Sequence, residues 1–346
     1  MYILAINCGS QTLKYKLFNR SFEMIKKGGV SKIGFSQIKD HTQALKKAVE
    51  EIGGLVKQIQ IVGHRYVNGG NEFVKPEVID KNDLDKLEQL NNIAPLHNPH
   101  NLAGIIATQK QLPKAQNVAV FDTAFYQDLP EVAWRYAINK KVADKYGYRR
   151  FGFHGISHEY VCNQAAKELK KELKKIKLIS VHLGGGASIT ATRYGRAIDT
   201  SMGFTPLEGL AMMTRSGDLD PGLVIDLMNK GWKPAKIDNL LNQESGIFGI
   251  CAQKDMLKVL KNLDKPLIKL AYDIYIYRIR KYLGAYYAVL NGCDAVIFTG
   301  SVGSGMPITR NRAVKNLKIL NKVKILPIET NEELLIAQKA KQAFEK

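Results

Sequence analysis

The sequence lacks long apolar runs and has few cysteines. None of its apolar segments approaches the ~20 residues of a membrane helix, so we expect no membrane partner. Four cysteines are spread through the chain without a CxxC pair, which excludes a disulfide framework and a cysteine-based zinc site and indicates reduced thiols. The start of the chain, MYILAINCGS, lacks the basic residues and the cleavage site of a signal peptide, so we predict a cytoplasmic protein.

Negative charge is also scarce, because the formal net charge is +19 over 346 residues. Such an excess can indicate nucleic-acid binding, but the lysines are dispersed and no basic run is interleaved with aromatic residues. The densest run, Lys167–Lys177, carries Leu169, Leu173 and Ile176 at helical spacing. We interpret it as an amphipathic helix with a basic face, predict no nucleic-acid partner, and expect anionic substrates.

Apolar strand patterns alternate with helical patterns, which predicts an α/β fold with two domains. The predicted strands are Tyr2–Asn7, Ile59–Gly63, Asn117–Phe121, Leu178–Leu183 and Asp294–Thr299. The predicted helices are His41–Ile52, Asp83–Asn92, Ser157–Leu173, Pro266 to about Leu290, and Asn331–Phe344.

Two segments share one design: an apolar strand, a turn rich in Gly and Ser, and a second strand. They are ILAINCGSQTLKYKLF near the start and LISVHLGGGASITATR from Leu178. Small residues let backbone N–H groups approach an anion, so both turns are candidate phosphate sites, although ordinary hairpin turns remain an alternative.

Several charged residues occur where ligands commonly bind. Lys14 follows the first turn and either reaches a phosphate or is simply solvated. Arg65 and Arg215 lie among polar and glycine residues, and a guanidinium suits carboxylates and phosphates. Asp122 ends a strand, where its carboxylate either faces a cleft or caps a helix. His154 lies at a predicted turn into a helix, where a hydrogen-bond donor to phosphate is favoured over a zinc ligand.

These segments together resemble the acetate kinase family. The motifs, in chain order, are NCGSQTLKYKLF, GHRYVNGG, APLHNPHNLAGI, VAVFDTAFYQDLP, FGFHGISHEYV, HLGGGASI, DTSMGFTPLEGLAMMTRSGDLDPG and TNEELLIA. The resemblance covers nearly the whole chain. It implies two ribonuclease-H-like domains with the active site in the cleft between them. It also implies a domain of residues 1–121 closed by 335–346, a second domain of 122–334, and a homodimer.

The resemblance further implies reversible transfer of phosphate between ATP and acetate, with Mg²⁺ (or Mn²⁺) as cofactor. The implied catalytic residues are Asp122, His154 and Arg215. Arg65 would bind the carboxylate, and the apolar pocket for its methyl group would be formed by Val67, Leu96, Phe153 and Pro206. Asn7 and Glu332 would position the metal. The implied ATP-binding residues are Ser10, Thr12, Lys14, His182, Leu183, Gly184, Gly185, Gly186, Asp255, Met256, Leu257, Ser301, Val302, Gly303, Ser304 and Gly305.

The chain departs from the family pattern mainly on the nucleotide side. Gln11, Asn68, Gly185, Leu257 and the pair Ser304–Gly305 replace other residues of the family's motifs, and the chain is shorter than typical members. Relaxed nucleotide choice is therefore expected. Propionate or butyrate kinase activity, and a nucleotide-binding relative without catalysis, remain alternatives.

Overall fold

The computed structural model describes all 346 residues and divides into two compact units. Unit 1 comprises Met1–Gln127, Phe153–Ile156 and Asn331–Lys346, and unit 2 comprises Asp128–Gly152 and Ser157–Thr330. This division assigns Asp122 and its neighbours to unit 1, whereas the boundaries 1–121, 122–334 and 335–346 stay a prediction.

Unit 1 contains a six-stranded sheet in the order β3-β2-β1-β4-β6-β5. Its strands are β1 Tyr2–Gly9, β2 Thr12–Asn19, β3 Met24–Ser31, β4 Ile59–Tyr66, β5 Glu77–Val78 and β6 Gln116–Phe121. The central strands β1, β4 and β6 run parallel, while β1–β2–β3 is an antiparallel meander. The helices of this unit are α1 His41–Ile52, α2 Lys81–Gln89, α3 Asn98–Gln111 and, at the end of the chain, Glu332–Phe344.

Unit 2 repeats this design in a five-stranded sheet of order β11-β10-β7-β8-β9. Its strands are β7 Lys177–Leu183, β8 Ala187–Arg193, β9 Arg196–Thr200, β10 Ala295–Thr299 and β11 Lys324–Pro327. An antiparallel meander again adjoins two parallel strands. Both predicted hairpins are therefore confirmed. The five strands of unit 2 match the order β3-β2-β1-β4-β6 of unit 1, which has β5 as an additional edge strand.

The remaining helices belong to unit 2, except that the first two residues of α6 belong to unit 1. They are α4 Glu131–Trp134, α5 Lys140–Tyr146, α6 Gly155–Glu168, α7 Pro221–Asn229, α8 Pro234–Gln243, α9 Gly246–Cys251, α10 Met256–Lys261, α11 Pro266–Leu290, α12 Gly300–Gly303 and α13 Pro307–Val314. The helix Glu332–Phe344 is α14. None of these helices combines the length and apolar character needed to cross a bilayer.

Close packing of α14 on the unit 1 sheet depends on a glycine. A Cβ atom at Gly63 in β4 would lie 2.8 Å from the side chain of Ile336 and 3.0 Å from that of Ala340. Both α14 residues are fully buried. Any larger residue at position 63 would push the helix off the strand, and with it the side chains at the start of α14.

The predicted helix boundaries are correct for α1 and shifted for α2. α1 begins and ends as predicted, whereas α2 begins at Lys81 because Asp80 forms a capping box with Asp83.

The basic amphipathic helix predicted over Lys167–Lys177 is wrong. α6 ends at Glu168, Lys170 adopts a left-handed φ of 53°, and a 3-10 turn covers Leu173–Lys175. The apolar residues of the run pack against a buried cluster of unit 2, so the chain turns there to enter β7 at Lys177.

Candidate active site

The predicted site residues of unit 1 collect at one edge of its sheet. Asn7 lies near the end of β1, Arg65 near the end of β4, and Asp122 directly after β6. These three strands are parallel neighbours in the order β1-β4-β6. The carboxyl ends of parallel strands form the edge at which α/β proteins bind ligands.

Arg65 is the centre of a charged cluster. Its Nη2 and Nε donate to Oδ2 of Asp122 at 2.7 and 3.2 Å, and its Nη1 lies 3.5 Å from Oε2 of Glu332. Burial lowers the pKa of Arg65, but the charges of Asp122 and Glu332 outweigh burial, so the pKa lies above its usual range. The guanidinium is therefore permanently charged and held in one orientation.

The Asp122 carboxylate faces both Arg65 and the backbone of Ile156 near the start of α6. Its side chain is 1% exposed, and Oδ2 is taken by Arg65, while Oδ1 is buried without a hydrogen-bond partner. Burial raises the pKa of Asp122, Arg65 and the backbone N–H of Ile156 oppose this effect, and Glu332 adds to it. A buried carboxylate oxygen without a partner is costly and is typical of a site that binds a further ligand.

The segment Phe153–Ile156 is anchored to the segment that begins at Asp122. Tyr126 Oη donates to the carbonyl of Phe153 at 2.8 Å. A Cβ atom at Gly155 would lie 1.9 Å from the carbonyl oxygen of Asp122, so only glycine fits there. His154, between them, has a φ of 57°, which is strained for a residue with a side chain. The backbone thus fixes His154 beside the Asp122 segment.

The first hairpin presents its polar side chains on one face. Asn7 and Lys14 are directly paired across β1 and β2, and Thr12 pairs with Gly9. Ser10 is exposed in the turn, and Lys14 is also exposed. Lys16, which sequence reasoning missed, shares the face of Lys14 by strand alternation.

Lys16 fixes the start of α14 against this hairpin. Its Nζ donates to Oδ1 of Asn331 at 2.7 Å and lies 3.0 Å from Glu333. The predicted C-terminal helix is confirmed from Glu332, and Asn331 accepts from Leu334 N as its N-cap.

The predicted apolar pocket residues of unit 1 differ in exposure. Val67 and Phe153 are 5% and 1% exposed, whereas Leu96 is 40% exposed. Val67 follows β4 and lies two residues after Arg65 in the sequence.

In unit 2, Arg215 differs sharply from Arg65. Its Nη1 donates to the carbonyl oxygen of Pro206 at 3.2 Å, which brings together two predicted site residues. No carboxylate is paired with it, and burial alone lowers its pKa. A mostly buried arginine without an acidic partner leaves an uncompensated positive charge, which favours binding of an anion.

The second hairpin carries His182–Gly186 at the turn between β7 and β8. The Gly184 N–H donates to the Gly186 carbonyl at 2.9 Å, and Gly185 is exposed with open space around its Cα atom. Nδ1 of His182 lies 2.8 Å from Oγ of Ser157, which orients the imidazole. Leu183 is fully buried in the strand.

The predicted nucleoside segment Ser301–Gly305 forms α12 and the turn after it, directly after β10. Gly300 has a φ of 77°, and a Cβ atom there would lie 2.4 Å from the carbonyl oxygen of Leu183, so the turn requires glycine. The segment borders a cavity of 570 Å³. The cavity is lined by Gly300, Ser301, Ser304, Gly305, Arg310, Pro327, Glu329 and Thr330.

Two charged residues of this cavity were missed from sequence. Arg310 lies in α13 and donates from Nη1 to the carbonyl oxygens of Gly303 and Ser304, both at 3.0 Å. Glu329 precedes the TNEELLIA motif. No motif marks either residue, although Arg310 lies only six and seven residues after the carbonyls that it contacts.

The second predicted nucleoside segment, Asp255–Leu257, does not line this cavity. Asp255 is the N-cap of α10 and accepts from Leu257 N at 2.8 Å. Met256 is buried, whereas Leu257 is 55% exposed.

Comparisons with known proteins identify the family of this chain. The sequence profile of the acetokinase family matches residues 2–321. Acetate kinase of Thermotoga maritima is 40% identical over an alignment that covers 100% of this chain and 99% of that protein.

Solved structures with a similar fold belong to related kinases. A Porphyromonas gingivalis acetate kinase has a TM-score of 0.91 at 34% identity, and a Francisella tularensis propionate kinase has 0.92 at 36%. In both comparisons 99% of each chain is covered. The chain therefore belongs to the acetokinase family, whose members are kinases that transfer a phosphoryl group to a carboxylate.

Proposed function

We propose that this chain catalyses reversible, Mg²⁺-dependent phosphoryl transfer between ATP and acetate, giving acetyl phosphate and ADP. The observation that carries the proposal is the unpaired, mostly buried Arg215, because its charge calls for an anionic ligand. A family whose members phosphorylate carboxylates supplies the class of reaction.

The acceptor needs no general base. A carboxylic acid of pKa about 4.5 is ionised at neutral pH, so the obstacle is repulsion between two anions. Arg65 is the proposed ligand of the carboxylate, and its pairs with Asp122 and Glu332 orient it. Asp122 has one oxygen committed to Arg65, which supports an orienting role over proton abstraction.

The phosphoryl group carries the charge that must be stabilised during transfer. Arg215 is free of carboxylate partners and is therefore suited to the equatorial oxygens of the transferring phosphate. His154 is the proposed second donor. Its strained backbone is held by Gly155 against Asp122, which supports a fixed position for the imidazole.

The residues present fit a magnesium site. Mg²⁺ prefers a few protein oxygens completed by water and phosphate oxygens, and it does not need a full protein cage. Asn7 and Glu332 are the proposed ligands at the edge of the unit 1 sheet. The unpartnered Oδ1 of Asp122 is a further oxygen in this cluster. Bound there with nucleotide, the ion would neutralise phosphate charge.

The nucleotide is proposed to contact both hairpins. Ser10, Thr12 and Lys14 in unit 1 and His182–Gly186 in unit 2 would contact its phosphates. The cavity beside Ser301–Gly305 would receive the nucleoside, and Asp255–Leu257 is the second proposed nucleoside segment. The Ser304 hydroxyl already donates to the Gly300 carbonyl at 2.8 Å, which leaves it little capacity to select a base.

Propionate is the second candidate substrate, because the Francisella tularensis propionate kinase is as similar in structure as the acetate kinase. Val67, Leu96, Phe153 and Pro206 are the proposed pocket for the alkyl group. One methylene in such a pocket changes discrimination by only about 1–3 kcal/mol, so size selection is modest.

A homodimer in the cytoplasm is the proposed assembly. Unit 2 exposes large apolar side chains on α7 and α11, a common property of subunit interfaces. They include Leu223, Ile225, Met228, Leu267 and Leu270, each 50% exposed or more. Light scattering coupled to gel filtration measures the mass, and a monomer at micromolar concentration would contradict the assembly.

An acyl-hydroxamate assay tests the proposed function. Purified protein with ATP and Mg²⁺ is expected to give hydroxamate from acetate, less from propionate and least from butyrate. Arg215→Met is the matched control, since it removes the unpaired charge at similar side-chain length. ATP-dependent product from wild-type protein that Arg215→Met lacks supports the assignment. No product from any of the three acids would refute it.

A further inference from the structure

The strands β1 and β4 separate at the proposed active edge of the unit 1 sheet. Their parallel pairing ends at Ile6 and His64, after which β1 continues into the first hairpin and β4 into the loop that begins at Val67. Beyond the last pair, backbone groups that face the gap between β1 and β4 have no partner across it and need other partners if they are buried.

One side chain satisfies two of these groups. Asn101 in α3 is 2% exposed, and its Nδ2 donates to the carbonyl oxygen of Cys8 at 2.7 Å. Its Oδ1 accepts from the N–H of Val67 at 3.0 Å. Because a primary amide holds donor and acceptor in one rigid plane, Asn101 fixes the spacing between the two strand ends.

Close packing keeps this amide in place. A Cβ atom at Gly104, three residues along the same face of α3, would lie 2.7 Å from Sγ of Cys8. The next carbonyl of β1, that of Gly9, accepts from Nε2 of His41 at 2.8 Å. The last residues of β1 are therefore held by side chains from two helices.

The two groups that Asn101 holds flank the two proposed substrate sites. Cys8 lies two residues before Ser10 of the nucleotide hairpin, and Val67 lies two residues after Arg65. We propose that Asn101 is a positioning residue that sets the nucleotide hairpin and the carboxylate-binding Arg65 at a fixed separation. It touches neither substrate, and the inference rests on the proposed function of those two sites.

Asn98 in the same helix provides a matched control. It is fully buried and makes three hydrogen bonds through its amide, accepting from Asn68 N and donating to the carbonyls of Asn68 and Leu90. All of these lie on the loop after β4 and the segment before α3. Loss of the Asn98 amide therefore disturbs the carboxylate side without reaching the nucleotide hairpin.

The experiment compares Asn101→Ala with Asn98→Ala in the full-length protein. Binding of Mg-ADP is measured by calorimetry without acetate, the acetate KM by the hydroxamate assay, and folding by thermal unfolding. We expect Asn101→Ala to weaken Mg-ADP binding and to raise the acetate KM, each about tenfold, as loss of one buried hydrogen bond would. Asn98→Ala is expected to raise the acetate KM alone and to leave Mg-ADP binding within about twofold.

Several results overturn the inference. The first is that Asn101→Ala changes only Mg-ADP binding or only the acetate KM, or neither, while it lowers the unfolding temperature. Equal weakening of Mg-ADP binding in both variants would trace the effect to general loosening of α3. If Asn101→Ala does not fold, Asn101→Ser takes its place with the same criteria. Wild-type turnover and Mg-ADP binding are measured first, so failure of the proposed function is seen separately.

Discussion

Replacing Arg215 by methionine is expected to change activity and stability in opposite directions. The side chain is mostly buried, its only side-chain hydrogen bond runs to the Pro206 carbonyl, and no carboxylate balances its charge. Methionine keeps much of the apolar stem and removes the desolvated charge. Replacing buried charges by apolar groups is often neutral or stabilising, so we expect Arg215→Met to be about 1 kcal/mol more stable.

The effect on turnover follows from the same charge. If Arg215 stabilises the transferring phosphate, its loss lowers kcat by about 10²–10³, which corresponds to about 2.7–4 kcal/mol of transition-state stabilisation. Arg65→Met is the contrasting variant, because it leaves the 1% exposed Asp122 without its cation. We expect that variant to lose about 3–5 kcal/mol of stability and to show a raised acetate KM.

Urea unfolding and steady-state kinetics on the two variants measure both quantities. The reasoning fails if Arg215→Met keeps near-wild-type kcat, since the charge would then act elsewhere. It also fails if Arg215→Met is destabilised as strongly as Arg65→Met, because an acidic group would then balance the charge of Arg215 in the folded protein.

Four further predictions are open to test. Val67→Ala should improve kcat/KM for butyrate relative to acetate about tenfold; an unchanged ratio places Val67 outside the pocket. Asp122→Asn should retain acetate binding and lose turnover and its Mg²⁺ dependence, and a selective loss of acetate binding would contradict this. GTP and ITP should support turnover within about tenfold of ATP, because shared phosphate contacts dominate; a preference above about a hundredfold would reveal a specific adenine site. His64 has a pKa lowered by burial from 6.5 to about 4, so the unfolded chain binds more protons between these values and stability falls as pH falls. Urea unfolding should show a loss of about 2 kcal/mol from this group between pH 7 and 5, absent in His64→Gln; an equal loss in the variant would refute it.

The chain's regular elements were predictable where the signal is local. Alternating apolar residues and Gly-Ser turns indicated both hairpins. The cap residues Asp40 and Gly53 directly flank α1 and mark its limits. The end of α6 was not predictable, because Leu173 and Ile176 fit a helical period as well as they fit the observed packing. Local periodicity cannot distinguish a continuing helix from a turn whose apolar residues fold back onto the same core.

Residue patterns and motifs were enough to identify the fold class, the family and the side chains available for phosphate chemistry. Only the tertiary structure decided how those residues are paired. Arg65 and Arg215 have equal formal charge in the sequence, yet one is bound to Asp122 and the other has no acidic partner. Asn101 carries no sequence mark of a role at the site, because its partner Cys8 is a backbone group on a distant segment. A side chain's charge is a property of its residue type, whereas its burial and its partners depend on every segment that packs around it.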